Sequence, residues 1–419
     1  MLVSISLLVF LIWVVLFFFW GNFWRVWEFD SDRAQFPAPA KWPRVTAVVP
    51  ARNEAASIAS VVAAFASQGY PGEFSVVIVD DHSEDATAEI ARKAAADLGA
   101  TDRVEILPAP ELAPGWTGKL WALNSGVSVF CSADNSAPSR EFREMNPVCA
   151  PIITLPEAAP TTPITNPPDF FWFTDADVVH AADTLRRLVS RAESDGLDLT
   201  SLMVLLRAET FAERLLIPPF LYFFLMLYPP RWIANRNAKT AGAAGGCMLL
   251  RRTALERIGG IATIRGEVID DCALARAVKK SGGKIWMGLT RASHSLRSYQ
   301  TLSEIRDMIA RTAFTQLHYS AYQLLGTFLG MSLTFLLPIA LTFSPNIHVW
   351  PFALAAWCLM TASFLPTVSF YRLRPIWGLL LPLAALFYTH ATLLSAVRFW
   401  SGRGGQWKGR AQAPQNTPG

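Results

Sequence analysis

An α/β catalytic domain on a mostly parallel sheet, set between one N-terminal and about three C-terminal transmembrane helices, is the fold class the sequence predicts. Three observations predict it. Long uncharged runs lie at both ends of the chain, a polar middle alternates strand-like and helix-like patterns, and acidic residues recur where the hydrophobic runs stop. The chain has 419 residues, 52% hydrophobic and 17% charged, which is apolar for a soluble protein and polar for a pure transporter. A formal net charge of +4 gives no basis for a nucleic-acid partner, and none is expected. Cys131, Cys149, Cys247, Cys272 and Cys358 show neither CxxC nor zinc spacing and are odd in number, so a reducing compartment is the simpler reading.

Leu2 to Trp20 carries no charge and has about the length of a bilayer-spanning helix, roughly 20 residues. It lacks the positive start, short apolar core and cleavage site of a signal peptide, so residues 1–27 read as a membrane anchor. Arg25, Arg33, Lys41 and Arg44 follow, with Trp20, Trp24 and Trp27 at the interface. The positive-inside rule then places the catalytic domain in the cytoplasm and the chain in the cell inner membrane as a multi-pass protein. Apolar runs at 322–343, 347–370 and 376–397 form a C-terminal membrane region, 320–400, and contain Pro338, Pro351, Pro366 and Pro382, which membrane helices tolerate. The basic link 371–374 reads as cytoplasmic and the uncharged link 344–346 as external. Four full spans would put the basic tail, 401–419, outside, so either the last segment does not cross or the tail breaks the rule. The run within 215–230 is short for a span and flanked by proline pairs. It reads as a membrane-surface element, with a buried core helix as a nearly equal alternative.

Residues 42–315 carry the catalytic domain. A strand at 45–49 leads to a helix over 54–68, with Asn53 as its cap and Gly69 as its stop. Strands at 76–79 and 104–107 are followed by helices over 86–98 and 119–129. A fourth strand at 170–173 precedes a helix that Asp183 is placed to cap, and a short strand covers 248–250. Such βαβ sheets bind ligands at the carboxyl ends of their strands. Residues 130–168 are rich in Pro, Ala, Thr and Asn without periodicity and read as a flexible insert.

The strand ends carry the chemistry. Pro50, Arg52 and Glu54 lie in a turn whose free backbone N–H groups suit an anionic ligand, a weak signal alone. Asp80 and Asp81 leave the second strand together, where a carboxylate can accept from a base N–H or ribose hydroxyls. Ser83 and Asp85, just after, also suit helix capping. Gly118 and Lys119 allow close backbone approach and place a cation for a diphosphate, without Walker spacing; Trp116 beside them has packing as its ordinary role. Asp175 and Asp177 follow the fourth strand, and alternation points both the same way. Two hard oxygen ligands so spaced suit Mg2+ or Mn2+ together with substrate phosphates. A helix cap is the ordinary alternative, weakened because Asp183 is better placed for it. Gly245 and Gly246 suggest backbone approaching a substrate on the acceptor side, or a tight turn under a helix. Asp270 and Asp271 open a helix, where the dipole favours acids in any protein. The functional alternative is a general base, and nothing local decides which aspartate would serve.

In this order the motifs Pro-x-x-Asn-Glu (from Pro50), Asp-Asp-x-Ser-x-Asp (from Asp80), Gly-Lys-x-x-Ala-Leu-Asn (from Gly118), Asp-x-Asp (from Asp175) and the acidic pair Asp270 and Asp271 resemble a family-2 glycosyltransferase of the GT-A fold. With the membrane segments and the stretches 115–119 and 311–315, the likeness extends over nearly the whole chain except the insert. It is nearest to the hopanoid-biosynthesis-associated glycosyltransferases. The resemblance implies a nucleotide-diphosphate sugar donor, with Asp80 at its base, Asp175 at the ribose or metal, and Asp177 at the metal. It also implies Asp271 as catalytic base, inversion at the anomeric carbon, and transfer of a single sugar to a lipid acceptor, a hopanoid in the nearest relatives. Processive members carry Gln-x-x-Arg-Trp after the acidic pair; Arg306 and Arg311 lie there without the Trp, so polymer synthesis is not expected. A polyprenyl-phosphate acceptor is the nearest enzymatic rival. A non-catalytic nucleotide-sugar-binding membrane scaffold is the rival of another class. A transporter is disfavoured because the spans hold few ionisable residues beyond His390.

Overall fold

The computed structural model describes residues 1–26, 28–29, 36–132, 167–402, 406–407 and 410–411. Trp27, Arg33, nearly all of the expected insert and most of the tail therefore lie outside the described residues. The chain divides into two units, one of Met1–Trp27, Leu206–Thr240 and Arg297–Gly405, the other of Glu28–Leu205, Ala241–Leu296 and Gln406–Gly419.

The second unit holds the sheet. Its strands are β1 (Val45–Ala51), β2 (Phe74–Asp80), β3 (Val104–Pro108), β4 (Phe170–Phe173), β5 (Val178–His180), β6 (Leu199–Leu205), β7 (Met248–Arg251) and β8 (Ile285–Ser295). They lie in the order β3-β2-β1-β4-β7-β6-β8-β5. The first four are parallel, β7 runs antiparallel to β4 and β6, β8 is parallel to β6, and β5 closes the edge antiparallel to β8. Every residue of β1 and β4 is buried, as expected of strands covered on both faces. The aromatic run of β4 packs Trp172 edge-on to Phe65, with centroids 5.5 Å apart. The helix Gly118–Ser132 lies so close to the sheet that a Cβ on Gly126 would sit 2.5 Å from Val48 Cγ1 and 3.1 Å from Val79 Cγ2. Only glycine fits there.

Three local expectations are corrected. The first helix spans Ile58–Ala66, starting after Ser57 and ending before Gly69. Asn53 does not cap it. Instead Asn53 takes a left-handed φ of 51°, which asparagine tolerates, accepts the Glu84 N–H at 2.8 Å and donates its own N–H to Ser83 Oγ at 3.0 Å. Stitching two neighbouring loops outweighed extending the helix. Asp183 does occupy the N-cap position of Thr184–Asp195, but without a capping bond; its carboxylate faces Arg187 at 3.8 Å. Strands β5, β6 and β8 are additional to the strands expected from the sequence.

In the first unit, among the described residues, four helical stretches are long and apolar enough to cross a membrane: Phe211–Ala234, Ala321–Thr342, Trp350–Phe370 and Pro375–Trp400. The N-terminal run is shorter than expected, a helix of 17 residues from Leu2 to Phe18, because the chain turns left-handed at Gly21 and Asn22. The run expected to be short is the reverse case. A capping box starts it early: Glu213 N–H donates to Thr210 Oγ1 at 3.1 Å, and Thr210 N–H donates to Glu213 Oε2 at 2.9 Å. With its continuation it reaches 24 residues. Its Leu216, Ile217, Tyr222 and Phe223 share one hydrophobic cluster with Val9, Trp13, Phe364 and Tyr388, so it is a core element of this unit as well as a candidate span.

Candidate active site

Every site residue read from the sequence falls in the sheet-bearing unit. The loops after β1 and β2 form one knot. Arg52, at the end of β1, is 7% exposed, and its guanidinium donates to the Asp81 carbonyl at 2.6 Å and the His82 carbonyl at 3.0 Å, with Glu84 Oε1 3.3 Å away. Arg52 therefore builds the loop that presents Asp80. Ser83 Oγ donates to Asp80 Oδ1 at 2.5 Å. Asp80 is half-buried while Asp81 is fully buried, so of this pair Asp80 is the one that reaches the surface. Asp85 accepts the Thr87 N–H and the Ala55 N–H, each at 3.1 Å, which serves the next helix and joins the two loops.

Ser57 links this knot to the Asp-x-Asp turn. Its hydroxyl lies 3.0 Å from Glu54 Oε2 and 3.0 Å from the Ala176 carbonyl. Along the turn Asp175 and Asp177 are half-buried, between the buried Thr174, Ala176 and Val178, as strand alternation requires. Asp177 Oδ2 is 3.4 Å from Ser295 Oγ.

The densest charge lies around Lys119. Its ammonium is 3.0 Å from Asp175 Oδ1 and 3.1 Å from Asp270 Oδ2. Burial disfavours that charge, but Asp175, Asp270 and Asp271 outweigh burial and hold the group well above the usual lysine range. Asp271 accepts the Gly245 N–H at 2.9 Å through Oδ2 and the Cys272 N–H at 2.7 Å through Oδ1. Burial, and then the Asp270 charge, push its carboxyl up to about 6, against Lys119 and the two N–H groups, which favour the anion. Lys119, Asp175, Gly245, Asp270 and Asp271, separate in sequence, thus meet in one place. Gly246 packs the same loop inward, where a Cβ would lie 3.1 Å from Val204 Cγ2. Trp116 packs edge-on to Trp121, with centroids 5.1 Å apart.

Among the described residues no group of three or more His, Cys, Asp or Glu is arranged to hold a metal ion. Asp175 and Asp177 nonetheless fit Mg2+ or Mn2+, which often takes one or two carboxylates and completes its shell with substrate phosphates and water. Behind this turn runs a buried chain that no motif marks. Thr174 Oγ1 is 2.9 Å from the Gly246 carbonyl and 2.8 Å from His180 Nε2, and His180 Nδ1 is 2.8 Å from Ser293 Oγ. Burial pushes the His180 imidazole down to about 3, with His294 adding to the fall and Asp175 opposing it, so the ring is neutral. The single available signal was a lone polar residue ending the apolar stretch of β5.

Residues 43–315 match the family described as glycosyltransferase like family 2. No curated protein matches the chain. Among solved structures the chain is similar to the mannosyltransferase PcManGT from Pyrobaculum calidifontis in complex with GDP-Man and Mn2+, at 18% identity over 96% of this chain and 99% of that one, with a TM-score of 0.53. Glucosyl-3-phosphoglycerate synthase from M. tuberculosis aligns at 17% identity over 66% of this chain and 80% of its own, with a TM-score of 0.36. Mannosyl-3-phosphoglycerate synthase from Rubrobacter xylanophilus aligns at 17% identity over 66% and 74%, with a TM-score of 0.35. The first likeness is one of fold. The mostly parallel sheet, with its acidic turn after β4, is a GT-A domain. The chain belongs to the glycosyltransferase like family 2, and it is a glycosyltransferase.

Proposed function

We propose that this enzyme transfers one sugar from a nucleotide-diphosphate donor to a lipid acceptor at the cytoplasmic face of the inner membrane, with inversion and with Asp271 as the base. One observation carries the reading: a half-buried Asp271 carboxyl, pushed up to about 6, beside a lysine shared by Asp175 and Asp270. Such a group is ionised at neutral pH yet more basic than a surface aspartate, which suits proton removal from an attacking hydroxyl. The Gly245 and Cys272 N–H groups fix the carboxylate, and a remaining lone pair accepts the acceptor's proton. The acceptor oxygen bonds to the anomeric carbon while the bond from that carbon to the diphosphate oxygen breaks. Lys119 lies where its charge can stabilise the departing diphosphate. Asp175 and Asp177 would hold Mg2+ or Mn2+, which supplies positive charge against that building on the leaving group. Asp80 meets the base, in a frame set by Pro50, Arg52, Glu54, Asp81 and Gly118. Gly245, Gly246 and Asp270 lie on the acceptor side.

The lipid acceptor is supported by the four helices, among the described residues, that are long and apolar enough to cross a membrane, and a hopanoid by the family resemblance of the motifs. Cytoplasmic placement is supported by Arg25, Lys41 and Arg44 after the first apolar run. Purified membranes given labelled UDP-glucose or GDP-mannose, with Mn2+ or with EDTA, test the proposal on wild type, Asp177→Ala and Asp271→Ala. Metal-dependent label in the lipid extract, lost in both variants, is expected. Label persisting in both ends the mechanism, label confined to a water-soluble product ends the lipid acceptor, and donor binding without transfer by wild type ends turnover.

A further inference from the structure

We infer that His180 is a positioning residue for sugar transfer: the buried chain Ser293–His180–Thr174–Gly246 locks the Asp175–Asp177 turn to the loop that holds Asp271. The inference rests on the roles proposed above for Asp175, Asp177 and Asp271.

The chain has one self-consistent direction. Thr174 has a single hydroxyl proton, and the Gly246 carbonyl 2.9 Å away can only accept. That proton is therefore committed, and Thr174 Oγ1 must accept from His180 Nε2 at 2.8 Å. The ring is neutral, so Nδ1 carries no proton and accepts from Ser293 Oγ at 2.8 Å. His180, Thr174 and Ser293 are 3%, 1% and 0% exposed, so water does not replace a lost link. A buried imidazole costs free energy unless its nitrogens are engaged. Apolar packing alone, against Trp172 at 4.6 Å and Phe65 at 6.0 Å between centroids, would be met by phenylalanine.

What the chain joins explains its value. Thr174 immediately precedes Asp175, and Gly246 immediately follows Gly245, the donor to Asp271 Oδ2. The carboxylates on the donor side and the base are thus referred to each other through the Thr174 hydroxyl, whose direction is fixed by His180 of β5, itself held by Ser293 of β8. Loosening such a lock leaves each half able to bind its ligand while spoiling their alignment in the transition state.

Purified wild type and His180→Phe are compared using whichever of labelled UDP-glucose and GDP-mannose the wild type accepts. The variant is expected to lose about 10- to 100-fold in kcat with donor KM changed less than about threefold. His180→Gln, which restores one donor and one acceptor, is expected to recover most of the loss. A His180→Phe enzyme of near wild-type kcat, or a loss carried by donor KM, overturns the inference while leaving Asp271 as base. If His180→Phe does not fold, Ser293→Ala cuts the outer link and Thr174→Val cuts both links made by its hydroxyl, and each is expected to show the same split. A second readout is independent of turnover, and so survives a wild type that uses neither sugar: 15N spectra of histidine-labelled protein, with His180→Gln as the assignment control. The Nε2–H tautomer is expected, and the Nδ1–H tautomer overturns the chain.

Discussion

Gly245 donates its backbone N–H to Asp271 Oδ2 at 2.9 Å, and a Cβ at that glycine would stand 3.3 Å from Lys119 Nζ and 3.4 Å from the same carboxylate oxygen. The backbone approaches the base this closely because there is no side chain. Alanine asks the flexible tip of Lys119 to yield a few tenths of an ångström, whereas valine displaces the carboxylate as well. Gly245→Ala is expected to lower kcat by about threefold and Gly245→Val by about 100-fold, read as label transfer per enzyme. A Gly245→Val enzyme of full rate would separate this loop from the site.

The pH profile follows from Asp271. A base with its carboxyl near 6 is protonated below that value, so kcat/KM should fall on the acid side with a limb about there. Asp270→Asn removes a like charge that raises the carboxyl, so the limb moves to lower pH. Lys119→Met removes a cation that lowers it, so the limb moves to higher pH. Shifts in the same direction in both variants would refute the assignment. Because the folded value lies above the unfolded one, this group's contribution to stability is present at acid pH and is lost as pH rises through about 6.

Arg52 is predicted to act on the Asp80 loop through stability. Its guanidinium donates to two loop carbonyls from a nearly buried position, so Arg52→Met leaves both without that donor. A loss of about 1–3 kcal/mol is expected, visible as a lower melting temperature, with donor KM raised more than kcat is lowered. An unchanged melting temperature would mean that the loop holds without the clamp.

Glu213 is fully buried and accepts the N–H groups of Glu209, Thr210 and Tyr299 at 2.8, 2.9 and 2.8 Å. Glu213→Ala strands these donors at the start of an apolar helix and should cost about 3 kcal/mol or more. Thr210→Val loses the cap and a long hydroxyl contact to the Tyr299 carbonyl, together about 1 kcal/mol. Thermal unfolding of the detergent-solubilised protein ranks the two, and equal losses would show that Glu213 contributes as a cap alone.

What could be read in the residues, and what could not, divides along the range of the interactions. β1 to β4 and the terminal apolar runs are continuous hydrophobic stretches bounded by breakers, which is local information. β5 has three residues, and β8 carries Gly288, Arg291 and His294 among its apolar positions, so neither shows a clean period. Asn53 had the right chemistry for a cap, but its partners lie on another loop. The acidic residues stood out singly because charges at strand ends are costly without a use. That Lys119 would be shared between Asp175 and Asp270 depended on a helix, a turn and another helix meeting, and no spacing encodes that. His180 showed only as a lone polar residue ending an apolar stretch, because its partners lie before and far beyond it in the chain.

The bare contact at Gly126 sets a height. Lys119 stands in the opening turn of the helix whose middle rests on Val48 and Val79 through that glycine. A methyl group there would act as a shim, tilting the helix off the strands and carrying the ammonium away from Asp175 and Asp270. A residue without a polar atom thereby determines whether three charged side chains are in register, and the enzyme's tolerance for change at its most acidic point is governed from inside its most apolar one.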